Sequence, residues 1–216
     1  MNILIIDDHP LIIDAYKSAL INIYGQGISF KICHNCEEAQ ITIDTMSNTF
    51  FMCDLAIIDF GLPAFEPAGM LSGSDVALHL KKKAPECKII MITAHTEVII
   101  VYDIYKKVSP EGLIIKNEIT PLSLQAIINT VMCGDTYQSL HVKNSVKEIW
   151  KKELMVEDYN RLILFYLSKG YKIKDLEEVI PLAGSTIQRR IINMKKAFSV
   201  SDDSSLVKDA FKQGFI

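Results

Sequence analysis

The chain has 216 residues, of which 49% are apolar and 23% are charged, and its formal net charge is −3. This composition is typical of a folded globular protein and excludes collagen-like, disordered and coiled-coil classes. No apolar run approaches the 18 or more residues that a membrane helix needs, and Asp7 and Asp8 interrupt the N-terminal apolar run. We therefore expect a cytoplasmic protein without a signal peptide and without a membrane partner, built as one large or two small domains.

Short apolar strands alternate with helices over the first 134 residues. Strands are predicted at 2–6, 29–33, 55–58, 88–92 and 112–115, and helices at 10–24, 37–47, 74–84, 96–107 and 121–133. Because the strands are apolar without polar alternation, they are typical of a parallel sheet that is covered on both faces. We predict an α/β domain at residues 1–134, with a doubly wound (βα)5 architecture and a parallel five-stranded sheet.

The pattern changes after Gly134. Residues 135–155 are weakly periodic, and we expect a linker there that is helical in part. Residues 156–216 carry helical signals alone, with helices predicted at 158–168, 173–180, 185–198 and 204–211. We therefore predict a second, all-α domain of four helices.

The charge is unevenly distributed between these regions. Residues 1–150 carry 11 basic and 17 acidic side chains, whereas residues 151–216 carry 12 basic and 9 acidic side chains. The whole-chain charge of −3 thus combines an acidic segment with a basic one. Such asymmetry removes the objection to nucleic acid that a negative total would raise.

Polar side chains of complementary chemistry follow the predicted strands where each strand ends. Asp7 and Asp8 follow the first strand, and Asp59, Thr93 and Lys116 end the third, fourth and fifth. The carboxyl ends of parallel strands share one edge of the sheet, where ligands bind in open α/β folds. Two carboxylates 4 Å apart repel by about 4 kcal/mol at an effective dielectric of 20, so the cluster suits Mg²⁺, which also binds phosphate oxygens. A carboxylate there can attack phosphorus, with a lysine and a hydroxyl to stabilise the transferred group.

Four segments of this region resemble the receiver domain of two-component response regulators, in order and spacing. They are Ile5–Pro10, Ile57–Pro63, Met91–Ala94 and Gly112–Lys116. The resemblance implies that Asp59 accepts a phosphoryl group from a sensor histidine kinase, and that Asp7, Asp8 and Asp59 bind Mg²⁺. It also implies that Thr93 is the switch hydroxyl and that Lys116 contacts the phosphate. The Asp-Asp-His-Pro form points to the NarL/LuxR-type branch.

The chain departs from the family pattern at three places. One is minor: Asn117 stands where Pro or Asp is common after the lysine. Leu113 stands three positions before the lysine, where the family usually has an aromatic residue. The stretch Ala64–Ser72 is longer than usual. It is either a tolerated loop insertion or a segment that covers the site or contacts a partner.

The stretch Pro181–Val200 contains four basic residues and no acidic one. Apolar residues recur in it at three- and four-residue spacing, which predicts a helix with one buried face. A helix that is buried on one side and basic on the other suits the major groove of DNA, and an ordinary solvated helix gives the same pattern. Residues 170–200 also resemble the LuxR-type helix-turn-helix, in a divergent form.

That second resemblance implies that a homodimer binds double-stranded DNA. It places Gln188 and Arg189 at base edges. The full set of DNA-contacting residues that it implies is Ser185, Thr186, Gln188, Arg189, Arg190, Lys195 and Lys196.

The sequence thus predicts a NarL/LuxR-type response regulator with a receiver at 1–134, a linker at 135–155 and a helix-turn-helix domain at 156–216. Phosphorylation of Asp59 is expected to control dimerisation and DNA binding. No enzymatic activity is expected apart from Mg²⁺-dependent self-phosphorylation and dephosphorylation. Two alternatives stay open. One is a phosphorylation-independent dimeric DNA-binding regulator, which Leu113 favours; the other is a Mg²⁺-dependent aspartate phosphatase, which Gly61 disfavours because a second Asp is typical at that position.

Overall fold

A computed structural model describes residues 1–25, 27–46 and 52–216. The chain divides into two compact units, Met1–Lys143 and Asn144–Ile216. Within these described ranges, no helix combines the length and apolar character needed to span a bilayer.

The N-terminal unit is built around one parallel sheet with the strand order β2-β1-β3-β4-β5-β6. The strands are β1 (Asn2–Ile6), β2 (Ser29–Cys33), β3 (Leu55–Asp59), β4 (Lys88–Thr93), β5 (Gly112–Ile115) and β6 (Tyr137–Gln138). The helices are α1 (Pro10–Tyr24), α2 (Cys36–Met46), α3 (Gly73–Lys83), α4 (Val98–Val108) and α5 (Pro121–Met132). The predicted doubly wound α/β class is confirmed.

Burial explains why the strand sequences are apolar without alternation. All five residues of β3 are buried, and so are the last five of β4. One layer of the core joins Ile5 and Ile57 of the sheet to Leu20 of α1 and Ile128 of α5, all of them at most 1% exposed. Because helices cover both faces, every position along a central strand favours an apolar side chain.

The sheet has one strand more than the sequence predicts. Tyr137 and Gln138 pair in parallel with Gly112 and Leu113 as the edge strand β6. A strand of two residues carries no periodic signal, so the pattern does not reveal it. The other predicted elements of this unit differ from the observed ones by at most two residues at either end. The predicted end of the second helix, Ser47, lies outside the described residues.

The C-terminal unit is all-α, as predicted. Helix α6 (Leu140–Val156) begins in the first unit, and it is followed by α7 (Asp158–Ser168), α8 (Gly184–Phe198) and α9 (Asp203–Lys212). The predicted helix at 173–180 is instead a six-residue 3₁₀ helix, Ile173–Glu178. Pro181 disfavours helical backbone at Ile180, the residue before it, so the helix does not reach the predicted end of the segment. The core of the unit includes Ile163, Leu176, Ile187 and Met194.

Candidate functional site

The residues predicted for phosphoryl transfer lie together at the carboxyl edge of the sheet. Asp7 follows β1, Asp59 and Thr93 end β3 and β4, and Lys116 follows β5. The residues Asp7, Asp59 and Thr93 are each at most 6% exposed. Buried polar groups of this kind need partners, and the partners here are the side chains of Lys116 and His9 and neighbouring backbone N–H groups.

The ammonium group of Lys116 joins the two buried carboxylates. Its Nζ donates hydrogen bonds to Asp7 Oδ2 at 3.1 Å and to Asp59 Oδ1 at 3.3 Å. The other oxygen of Asp59, Oδ2, accepts a hydrogen bond from the backbone N–H of Gly61 at 3.0 Å. This arrangement holds one positive charge between two negative ones at the carboxyl edge of the sheet.

Burial and charge act in opposite directions on the pKa values of this pair. Burial raises the pKa of the Asp59 carboxyl, and nearby Asp7 raises it further, while Lys116 opposes both and does not fully offset them. Burial lowers the pKa of Lys116, but the carboxylates of Asp59 and Asp7 outweigh this effect and leave the pKa raised. Lys116 therefore stays charged at neutral pH.

A group of possible metal ligands lies beside this ion pair. One ligand atom from each of Asp7, Asp8 and His9 can be chosen so that all three lie within 4.8 Å of one another. Asp8 Oδ1 is buried and has no hydrogen-bond donor; His9 Nδ1 lies 2.7 Å from it, but its hydrogen bond is to Asp7 Oδ1 at 3.2 Å. A buried carboxylate oxygen without a donor is costly unless a cation binds it, and hard oxygen ligands suit Mg²⁺. Asp7 and Asp8 therefore fit the metal by the chemistry of their oxygens, and Asp59, the third ligand implied by the resemblance, shares the Lys116 ammonium group with Asp7.

Thr93 lies in the neighbouring strand end with its hydroxyl turned to the following loop. Its Oγ1 accepts a hydrogen bond from the backbone N–H of His95 at 3.0 Å, and the His95 ring packs edge-on against Phe60. Leu113, which replaces the usual aromatic residue, is 1% exposed and pairs in register with Met91. An aliphatic side chain thus fills the buried position on β5.

The longer loop Ala64–Ser72 forms a compact turn. Phe65 and Met70 exchange two backbone hydrogen bonds of 2.7 and 3.2 Å around the short 3₁₀ helix Glu66–Ala68. Gly69 closes the turn with a φ of 67°, a left-handed conformation that glycine adopts without strain. Met70 is buried while Leu71 is 65% exposed, so the loop is both anchored and open to solvent.

Gly73 allows the first turn of α3 to lie close to the backbone of Asp59 and Phe60. Its N–H donates to Phe60 O at 2.9 Å, and a Cβ atom added at Gly73 would lie 1.9 Å from the carbonyl oxygen of Asp59. Sequence reasoning missed this contact. The only available signal was a glycine where a helix begins.

Gly73→Ala is expected to destabilise the N-terminal unit by about 2 kcal/mol, because backbone atoms must move to admit the methyl group. Urea unfolding of the two proteins measures the difference. Gly27→Ala is the matched control, since nothing lies within 4 Å of a Cβ built there. Equal losses in the two variants would contradict the role of close approach.

The start of α6 is hydrogen-bonded to the segments that directly follow Thr93 and Lys116. His141 Nε2 lies 2.7 Å from Thr96 O, and the His141 N–H donates to Glu118 Oε1 at 3.2 Å. Ser139 adds a hydrogen bond from its N–H to Leu113 O at 3.1 Å. These contacts fall in the stretch predicted as a linker, and nothing in its weak periodicity indicates them.

In the C-terminal unit, α8 carries most of the predicted DNA contacts and presents some of them to solvent. Ser185, Gln188, Arg189 and Lys196 are exposed, and among the described residues the last three have no side-chain hydrogen bond or ion pair. Thr186 is half-buried. The exposed face therefore offers free donors and two unpaired positive charges.

Two other predicted DNA contacts already have partners inside the unit. Arg190 Nη1 pairs with Glu157 and donates to Asn160 Oδ1 at 2.9 Å, which joins α8 to the start of α7. Lys195 Nζ lies 2.8 Å from Asp203 Oδ1 at the start of α9. The structure thus gives both side chains a packing role within the unit.

Comparison with known proteins places this chain beside response regulators. The model of the response regulator receiver domain family matches residues 3–128. The transcriptional regulatory protein MctR of Rhizobium johnstonii is 21% identical over 224 residues, covering 100% of this chain and 95% of MctR. The probable transcriptional regulatory protein NarL of Mycobacterium tuberculosis is 19% identical, covering 96% and 92% of the two chains. A solved structure of RcsB from Salmonella enterica serovar Typhimurium, bound to promoter P1flhDC with the phosphomimetic BeF3⁻, matches with a TM-score of 0.57 at 16% identity, covering 96% of each chain.

Proposed function

Since this chain belongs to the response regulator receiver domain family, we propose that it is a NarL/LuxR-type two-component response regulator whose DNA binding is controlled by phosphorylation. In this proposal, residues 1–134 receive the phosphoryl group, 135–155 link the two functions and 156–216 bind DNA. The observation that carries it is the Lys116 ammonium held between the buried carboxylates of Asp7 and Asp59.

The proposed chemistry is transfer of a phosphoryl group from a histidine of a sensor kinase to Asp59. An Asp59 carboxylate oxygen attacks phosphorus, an O–P bond forms, and the N–P bond to the kinase histidine breaks with its electron pair returning to the imidazole. Asp7, Asp8 and Asp59 would hold Mg²⁺, which when bound neutralises charge on the phosphoryl oxygens. Lys116 exchanges its contact with Asp59 for one with the new phosphoryl oxygens, and the Thr93 hydroxyl donates to another.

Phosphorylation would then act on the start of α6 through the contacts of His141. The phosphoryl group adds about −1.5 to −2 charges at Asp59, which draws Lys116 and Thr93 toward it. Thr96 and Glu118 follow these two residues by three and two positions and are the partners of His141. A shift in either loop therefore pulls on the first turn of α6. Shifting the protein from 1% to 99% in the active conformation needs about 5.5 kcal/mol of differential stabilisation. The new contacts of the phosphoryl group, together with a bound cation, can supply an energy of this size.

Phosphorylation changes the affinity for DNA by some factor, and His141→Ala is expected to reduce that factor by about fivefold or more. A fivefold change corresponds to the lower end of typical coupling free energies between two sites. The rate of phosphorylation should stay unchanged, because His141 does not touch Asp59 or Lys116. Gel shifts with both forms measure the first quantity, and intact-protein mass the second. His34→Ala, an exposed histidine of the same unit, should keep the full difference.

The proposed DNA site is the exposed face of α8. Its free Gln188 side chain and unpaired Arg189 and Lys196 match the base edges and phosphates of a major groove, and no acidic residue lies between Pro181 and Val200. RcsB, which shares the fold, was solved on promoter DNA. A footprint of a few side chains is small, so we propose that a homodimer binds paired half-sites.

The direct test is incubation of the full chain with acetyl phosphate and Mg²⁺. We expect the mass gain of one phosphoryl group, its loss in Asp59→Asn, and a changed affinity for DNA from the protein's own promoter region. No mass gain would overturn phosphorylation of Asp59. A mass gain together with equal DNA binding by Asp59→Asn and the phosphorylated protein would favour the phosphorylation-independent regulator that Leu113 suggests. Sustained turnover of a small phosphomonoester would favour a phosphatase instead.

A further inference from the structure

An exposed isoleucine lies in the middle of the polar and basic face of α8. Ile192 is 50% exposed, whereas the buried residues Ile187, Ile191, Met194, Ala197 and Phe198 form the face toward the core. Helical geometry advances 100° per residue, so Ser185, Gln188, Arg189, Ile192 and Lys196 fall within one arc of about 100°. Ile192 occupies the interior of that arc, one turn after Gln188 and one turn before Lys196.

The position has the spacing of a base-reading residue. Ser185, Gln188, Arg189 and Ile192 stand at i, i+3, i+4 and i+7, which is the spacing of the base-contacting residues in the recognition helix of homeodomains. Most groups on the groove edges of base pairs are hydrogen-bond donors and acceptors, and the apolar exception is the C5-methyl group of thymine. An aliphatic side chain at this place therefore has one complementary feature on DNA.

We propose that Ile192 contacts a thymine methyl group in the major groove and is a specificity-determining residue of the DNA site. The inference rests on the proposed DNA-binding function. Ile192 then selects thymine at one base pair of each half-site, between the bases contacted by Gln188 and the phosphates contacted by Lys196.

The surroundings of Ile192 favour DNA over a protein partner for this face. Single exposed apolar residues are common on proteins, and a protein-docking surface needs a contiguous apolar patch. Here the neighbours on the arc are hydroxyl, amide and basic side chains, and Arg189 and Lys196 carry positive charges that no residue of the unit neutralises among those described. This charge is complementary to a phosphate backbone.

The test changes the DNA as well as the protein: it removes the methyl group of a thymine, and separately it truncates the side chain of Ile192. The phosphorylated full chain first selects its binding sequence from a random duplex library. Each thymine of the selected site is then replaced singly by deoxyuridine, which lacks the C5-methyl group. One thymine per half-site should show about fourfold weaker binding, the effect of exposing one buried carbon.

The variants assign that effect to a residue. In Ile192→Ala, the thymine–uracil difference at this position should disappear, and the affinity for the thymine site should fall by a similar factor. Ile192→Val should retain most of the thymine–uracil difference in affinity. Gln188→Ala should retain all of it, because it weakens the contact with a different base pair. Because Ile192 is half exposed and alanine favours helices, the alanine variant is expected to fold normally, which circular dichroism checks.

The outcomes separate this inference from the function on which it depends. If the library yields no bound sequence, the proposed DNA-binding function fails. If a sequence is selected but no thymine is sensitive to loss of its methyl group, or if the sensitivity persists in Ile192→Ala, the role of Ile192 is overturned while DNA binding stands.

Discussion

Lys116→Met is expected to destabilise the N-terminal unit by about 2–3 kcal/mol at pH 7. The substitution leaves the carboxylates of Asp7 and Asp59 side by side, buried and without the ammonium group that lies 3.1 and 3.3 Å from their oxygens. Breaking a buried pair by removing one partner costs more than the pair itself contributes, because the remaining charge stays buried. The side chain of Lys116 is 20% exposed, so we expect less than the full cost of a completely buried pair.

The loss of stability should depend on pH in a defined direction. Burial and Asp7 already raise the pKa of Asp59 in the native protein, and loss of Lys116 raises it further. A carboxyl group with a raised native pKa binds a proton more readily when folded than when unfolded, so its protonation at low pH favours the folded state. The variant should therefore be most impaired at pH 7 and approach the wild type as the pH is lowered and the carboxyl group of Asp59 becomes protonated.

Urea unfolding at pH 7 and at a series of lower pH values measures this effect, and two further variants test its cause. Lys17→Met removes a lysine whose ion pair with Asp14 is long, 4.0 Å, and largely exposed, and it should change stability by less than about 0.5 kcal/mol. Asp59→Asn combined with Lys116→Met removes the repulsion between the two carboxylates and leaves Asp7 as the one acidic group that has lost its lysine, so it should recover part of the lost stability. A pH-independent loss in Lys116→Met, or no recovery in the double variant, would contradict the charge argument.

The sequence predicts those parts of the candidate site whose positions are set by the ends of the strands. The apolar strands ending at Asp7, Asp59 and Thr93 define one sheet edge, and a parallel sheet brings these ends together whatever the details of packing. The hydrogen bonds of Lys116 and the position of His9 beside the Asp7 and Asp8 carboxylates were beyond prediction, since they depend on side-chain conformations rather than on strand order.

Contacts between distant segments explain most of what the sequence did not reveal. His141 meets Thr96 and Glu118, which lie 45 and 23 residues before it, and no local pattern records such a pair. Arg190 and Lys195 look like groove-facing cations in a linear reading of α8. The packing of α7 and α9 against that helix supplies them with Glu157 and Asp203 as partners. Only the tertiary structure separates these two basic side chains from the free ones.

Among the side chains of α8 without an internal partner are Gln188 and Arg189, and we expect a large loss of specific DNA binding when Gln188→Ala is combined with Arg189→Ala. If each side chain contacts a base edge, each contributes about 1–3 kcal/mol to discrimination, and removal of both should weaken specific binding by about 100-fold or more. Competition gel shifts against unrelated duplex DNA measure the specific component. Lys212→Ala removes an exposed basic residue from the end of α9 and should leave specific binding unchanged.

The remaining basic residues of α8 should behave in two distinct ways. Lys196→Ala should weaken binding to all sequences alike and lower the log–log salt slope by about 0.9, as expected for one phosphate contact. Arg190→Ala should instead lower the stability of the C-terminal unit, because Asn160, which is 1% exposed, loses a hydrogen-bond donor. Its salt slope should stay at the wild-type value under conditions where the protein is folded. A reduced slope for Arg190→Ala, with stability unchanged, would mean that Arg190 leaves Glu157 to bind phosphate.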